Sequence, residues 1–168
     1  AKIDAAEYRQ QYQCIAVQIQ PLLNAVVHEL SPVWRQKQLS VTVEAPDQLL
    51  SALTDPDRLK QILVNLVDNA VKYTPDGGKI LVKASQEADE VKFTVKDSGI
   101  GIPAEDLPRI FERFYRIDKA RARSVGGTGL GLAIVKQLID GLGGTIEVES
   151  KPDAGTTFVF TLPAAEQD

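Results

Sequence analysis

Asn65, Asn69 and Lys72 fall at positions i, i+4 and i+7 of one largely apolar stretch. On a helix they fall within an arc of roughly 60°, beside the apolar stripe. Two carboxamides and an ammonium on one edge can hold a magnesium ion and phosphate oxygens, because amide oxygens are hard ligands and lysine is a point charge. Taken alone, the same pattern also describes an ordinary solvated helix face.

Asp97 shares strand parity with Val91, Phe93 and Val95, so the alternation that buries those side chains also turns this carboxylate toward the core side. A buried carboxylate needs a donor. The string Asp97-Ser98-Gly99-Ile100-Gly101-Ile102-Pro103 places two glycines directly after it, where the backbone can turn sharply and approach a flat ligand. An adenine amino group is a suitable donor. A turn closed by an aspartate that caps nearby amides is the plain alternative for a bare G-x-G, and the full string is far more specific.

A second glycine-rich run, Gly126-Gly127-Thr128-Gly129-Leu130-Gly131-Leu132, leads into an apolar helix bearing Val135, Leu138, Ile139 and Leu142. Unpaired backbone N–H groups and the positive helix end could receive phosphates there. No Gly-Lys-Ser/Thr follows, and no strand leads directly in, so neither a Walker A loop nor a Rossmann fingerprint is present. Between the two glycine runs lies Ile110-Phe111-Glu112-Arg113-Phe114-Tyr115-Arg116, followed by a basic segment with Lys119, Arg121 and Arg123 that reads as a lid. Aromatics interleaved with arginines also suit RNA stacking, but the acidic balance and the lack of an RNA-module motif argue against it.

These groups need a scaffold. Leu22, Leu23, Val26, Val27, Leu30 and Trp34 predict one amphipathic helix from Pro21 to about Gln38, and Val41 and Val43 a strand. Asp55 as N-cap, Pro56 and Asp57 open a helix with the stripe Leu59, Ile62, Leu63, Leu66, Val67 and Ala70. Pro75-Asp76-Gly77-Gly78 makes a turn, then Ile80, Val82 and Ala84 pair in a hairpin with Val91, Phe93 and Val95. Gly143-Gly144 ends the later helix, and Ile146, Val148 and Phe158, Phe160, Leu162 form a second hairpin. Helices interspersed with antiparallel strands indicate an α+β, two-layer α/β sandwich with a mixed, mostly antiparallel sheet and helices on one face. One domain is expected over 14–163, after a linker or helix end at 1–13 and before a tail at 164–168.

The chain has 168 residues, 43% of them hydrophobic, which suits one domain with a real core. Nineteen basic and 23 acidic residues leave a net charge of −4, so no general attraction to nucleic acid or anionic lipid is expected, and any anionic ligand must be bound locally. The single cysteine, Cys14, excludes an internal disulfide and a thiolate-rich metal site and is compatible with a reducing compartment. No apolar run nears the ~20 residues of a membrane span, so no direct membrane contact is expected from this segment. The start at Ala1 without a methionine suggests a fragment of a longer protein.

Together the motifs resemble the N, G1, F and G2 boxes of the histidine kinase catalytic domain, which has the Bergerat ATP-binding fold. Asn65 to Pro75 is similar to the N box, Asp97 to Pro103 to the G1 box, Ile110 to Arg116 to the F box, and Gly127 to Leu132 to the G2 box. The resemblance covers roughly 20–162. It implies ATP and Mg2+ as ligands, with Asn69 binding magnesium, Asn65 supporting metal and phosphates, and Lys72 contacting phosphate. Tyr73 would pack on the adenine, Asp97 would accept from its amino group, and Gly99, Gly101 and Ile102 would shape the adenine pocket. Arg116 would reach the phosphates, and Gly127, Thr128, Gly129, Leu130, Gly131 and Leu132 would form the phosphate-binding turn of the lid.

Type II topoisomerases and mismatch-repair ATPases resemble this family but place a glutamate where this chain has Asn65, to activate water. A neutral amide cannot take that proton, so the resemblance implies phosphoryl transfer to an outside acceptor. The expected acceptor is a histidine on a separate dimerisation domain, to which residues 1–13 would connect, in a homodimeric, cytoplasmic two-component kinase that serves a response regulator. His28, in His28-Glu29-Leu30-Ser31-Pro32, superficially resembles the phosphoacceptor box but lies too close to the N box, on a helix suited to this domain's core. The competing readings are an anti-sigma-type serine kinase and a degenerate nucleotide-binding scaffold.

Overall fold

The computed structural model describes residues 12–46, 50–113, 115 and 131–165. In chain order these form β1 (Ile15–Gln18), α1 (Ile19–Glu29), α2 (Ser31–Gln36), β2 (Ser40–Glu44), β3 (Ser51–Thr54), α3 (Pro56–Tyr73), β4 (Lys79–Glu87), β5 (Glu90–Asp97), a 3-10 turn (Leu107–Arg109), α4 (Gly131–Gly141), β6 (Thr145–Ser150) and β7 (Thr156–Pro163). The main sheet has the order β2-β4-β5-β7-β6, with β2 parallel to β4 and every other pair antiparallel. The expected mixed, mostly antiparallel α+β sandwich is therefore present.

Strand alternation sorts the sheet into two faces. On the inner face Val82 lies opposite Val95 and Val95 opposite Phe158, while Ala84 faces Phe93 and Phe93 faces Phe160. The rings of Phe93 and Phe160 stack with centroids 4.5 Å apart. Lys83, Lys96, Glu147 and Glu149 occupy the outer face and are exposed. Against the inner face lie Ile19, Leu23, Val26 and Val27 of α1, Leu59 through Val71 of α3, and Val135, Leu138 and Ile139 of α4.

The α3 start follows the anticipated chemistry. Asp55 accepts hydrogen bonds from the amides of Asp57 (3.0 Å) and Arg58 (3.2 Å), and Pro56 follows it where a missing N–H costs nothing.

Two features depart from the sequence reading. The single helix expected over 21–38 is two helices, broken at Leu30 (φ −89°, ψ 1°). Pro32 is the cause: it donates no amide and its ring excludes the carbonyl four residues earlier, so it is accommodated only in the first turn of a new helix. The second departure is a small antiparallel sheet of β1 and β3, with Val17 paired to Ala52 beneath its surface. Four-residue strands carry too little alternation to be recognised from sequence.

Candidate nucleotide site

Asp97 is the last inward position of β5 and only 7% exposed. Its Oδ1 accepts from the amides of Gly99 at 2.8 Å and Thr156 at 3.2 Å, while Oδ2 takes no hydrogen bond from any described residue. Burial raises the carboxyl's pKa above the ordinary value of 3.8, and the two amides oppose that shift. An acceptor is thus oriented through one oxygen, and the other is left without a donor among the described residues.

The loop after Asp97 is stitched to two neighbours. Ile100 N–H donates to the carbonyl of Tyr73 at 3.1 Å, which docks the loop on the end of α3. Ile102 N–H donates to Ser150 Oγ at 2.7 Å, and Asp153 N–H to the Ile100 carbonyl at 2.7 Å, which docks it on the β6–β7 turn. Gly101 has φ +75°, and a β-carbon there would overlap the Lys151 carbonyl oxygen; one at Gly99 would overlap that of Tyr73. Both glycines are therefore required by backbone packing within the chain, in addition to the ligand approach anticipated for them. Ile102 turns its side chain into the core, 4% exposed.

On α3 the side chains of Asn65, Asn69, Lys72 and Tyr73 are all half-buried, along one edge of the buried stripe. The two asparagine amides have no hydrogen-bond partner among the described residues. Lys72 Nζ lies 3.1 Å from Asp68 Oδ2, an i, i+4 pair on the helix itself. Partly exposed pairs of this kind contribute little, so the ammonium can exchange this partner for a phosphate. Among the described residues no group of three or more His, Cys, Asp or Glu could hold a metal ion. A divalent ion here would depend on amide oxygens supplemented by nucleotide phosphates, a donor set that suits the hard Mg2+ ion, and the two asparagine amides, unpaired among the described residues, fit it.

Gly131 and Leu132 open α4, Gly131 exposed and Leu132 half-buried against the core. Arg116, Gly127, Thr128, Gly129 and Leu130 lie outside the described residues. Just before them, Tyr115 donates to the carboxylate of the buried Asp106, and the Arg109 guanidinium lies 4.7 Å from the centre of its ring. His28 is exposed on α1, off the face that enters the core.

Three contributors were not singled out from sequence. Thr156 lies opposite Asp97 and holds it through its amide, and its inward parity with Phe158, Phe160 and Leu162 was a legible signal. Ser150 bridges Ile102 and Thr156, its Oγ 2.8 Å from Thr156 Oγ1. Lys37 binds the end of α3 from a remote segment, for which sequence offers no signal.

A family model described as Histidine kinase-, DNA gyrase B-, and HSP90-like ATPase matches residues 54–166. The sensor histidine kinase WalK of Bacillus subtilis (strain 168) is 37% identical over 169 residues, covering 99% of this chain and 27% of that protein. The catalytic domain of histidine kinase ThkA is 30% identical and superposes with a TM-score of 0.79, covering 90% of this chain and 95% of that one. ThkA has also been solved in complex with response regulator protein TrrA. Full-length ShkA, solved in complex with AMPPNP, is 32% identical with a TM-score of 0.81, covering 97% of this chain and 35% of that one. The chain spans 27–38% of the length of the first curated relatives it matches. It therefore belongs to the histidine kinase-, DNA gyrase B- and HSP90-like ATPase family, as an ATP-binding catalytic domain of the histidine kinase type.

Proposed function

We propose that this chain holds Mg-ATP between α3 and the segment leading into α4 and presents the γ-phosphoryl group to a histidine on a separate dimerisation domain. The observation that carries this reading is the buried Asp97, with one oxygen fixed by two backbone amides and the other open to an adenine amino group. Tyr73 lines the adenine side, Gly99, Gly101 and Ile102 shape the pocket, and Lys72 and Arg116 engage phosphates. The glycine-rich sequence from Gly127 to Leu132, which leads into α4, would supply backbone amides to the phosphates. Magnesium, held by Asn69 with Asn65 in support, neutralises phosphate charge when bound.

Catalysis in this reading is positioning and charge neutralisation. Asn65 stands where a water-activating acid would stand in an ATPase of this family, and an amide cannot accept that proton. Bound ATP is thereby protected from water and delivered to an outside nucleophile. The domain occupies 14–163, joined through 1–13 to the dimerisation helices, in a cytoplasmic portion of a homodimeric sensor kinase that serves a response regulator.

The test is to mix the chain with radiolabelled ATP and a histidine-bearing dimerisation domain. Acid-labile, alkali-stable label on that domain is expected. Acid-stable label on a serine would instead support the anti-sigma-type kinase, and tight ATP binding without any transfer the degenerate scaffold.

A further inference from the structure

An α-helix leaves its last four carbonyls without donors of its own, and at the end of α3 each of the four is satisfied from outside the helical ladder. Thr74 Oγ1 donates to the Ala70 carbonyl at 2.6 Å, and Ile100 N–H to that of Tyr73 at 3.1 Å. The remaining two, Val71 and Lys72, are both reached by Lys37 Nζ, at 2.6 and 3.3 Å. Lys37 follows α2, outside the residues 54–166 that the family model covers. Its ammonium forms no ion pair with a described residue and sits at the negative end of the helix dipole.

The segment around Lys37 is itself anchored to the turn after α3. The Lys37 carbonyl accepts from Gly77 N–H at 3.0 Å, and Ser40 N–H donates to Gly78 at 2.9 Å. Lys37 thus grips α3 with its side chain and the following turn with its backbone. The gripped turn carries Lys72 and Tyr73 and directly follows Asn69, and it is the turn on which the Asp97 loop docks.

We propose that Lys37 is a positioning residue of the nucleotide site: it fixes the last turn of α3 and so sets the metal- and phosphate-binding side chains relative to Asp97. It does not touch the nucleotide. The inference rests on the ATP-binding reading above.

The experiment compares Mg-ATP affinity of the 168-residue chain by calorimetry with that of Lys37→Met, Lys37→Arg and Ile62→Val. Ile62→Val mildly destabilises α3 from its core side without touching the site. In parallel, the backbone amide resonance of Ile100, which donates to Tyr73, is followed in each nucleotide-free chain. Lys37→Met is expected to weaken binding about tenfold, the order of losing a charged donor to two carbonyls, and to shift the Ile100 resonance. Lys37→Arg keeps the charge and the donors and is expected to stay within about threefold of wild type. Ile62→Val is expected to bind normally. Wild-type affinity in Lys37→Met, or an equal loss in Ile62→Val, overturns the positioning role while leaving the ATP reading intact. Absence of binding to the wild-type chain overturns both. Should Lys37→Met not fold, Lys37→Gln takes its place with the same criteria.

Discussion

Replacing Asp97 by Asn separates the carboxylate's role in binding from its role in folding. The Oδ1 position accepts from Gly99 and Thr156, and the amide oxygen of an asparagine can keep both hydrogen bonds. Its NH2 group must then occupy the place of Oδ2, where it would meet the adenine amino group donor to donor. A hydrogen bond to a charged group contributes roughly 1.5–3 kcal/mol, so ATP affinity is expected to fall roughly 10- to 150-fold. Stability should move the other way. Burial raises the Asp97 pKa above 3.8, so the folded chain holds this proton more tightly than the unfolded chain. The stabilisation it gives is fully present below the unfolded value and is lost as pH rises through the folded one. Asn carries no such proton, so the variant gains stability relative to wild type across that window. Calorimetric titration of ATP, with thermal melts from acid to neutral pH, reads both effects. A folded variant that binds ATP at wild-type strength would refute the acceptor role, and a stability difference flat with pH would refute the burial argument.

Other consequences follow from the same contacts. Wild-type ATP affinity should decline as pH falls through the raised Asp97 pKa, because a protonated carboxyl is a poor acceptor; titrations over a pH series check this. Leu66→Ala removes a side chain with no exposed surface from the middle of α3 and is expected to cost about 2–5 kcal/mol, read as a drop in denaturation midpoint. Gly101→Ala places a β-carbon against the Lys151 carbonyl at a positive φ, so it should lose stability by about 1–3 kcal/mol and weaken ATP binding as well, measured by melting and titration together. Asn69→Ala should leave the unfolding free energy within about 0.5 kcal/mol of wild type while removing the magnesium-dependent part of ATP affinity, measured by denaturation and by titration with and without the metal.

Much of this architecture is written in local chemistry. Asp55, Pro56 and the stripe from Leu59 to Ala70 specify α3, because capping and periodicity act within a few residues. The parity of Val91, Phe93 and Val95 places Asp97 inward for the same reason. Pro32 splits a helix by a local effect, but the apolar spacing runs straight through the break, so periodicity alone masks it. Features set by distant contacts have no local pattern. Strands β1 and β3 depend on each other for pairing, across a separation no short pattern spans.

At the site, the spacing of Asn65, Asn69 and Lys72 indicates a shared helix edge, while the pairing of Lys72 with the Asp68 carboxylate depends on side-chain geometry. In the sequence the glycines at 99 and 101 indicate ligand approach, whereas the backbones of Tyr73 and Lys151 already demand them. Lys37 could not have been singled out, because any lysine in a polar segment has the same local appearance.

The edge of α3 and Asp97 are proposed to form one Mg-ATP site, which can be checked by titrating ATP into the folded chain with and without magnesium. One saturable site per chain, tighter with the metal, is the expected result. A folded chain that shows no saturable ATP binding under either condition would contradict it.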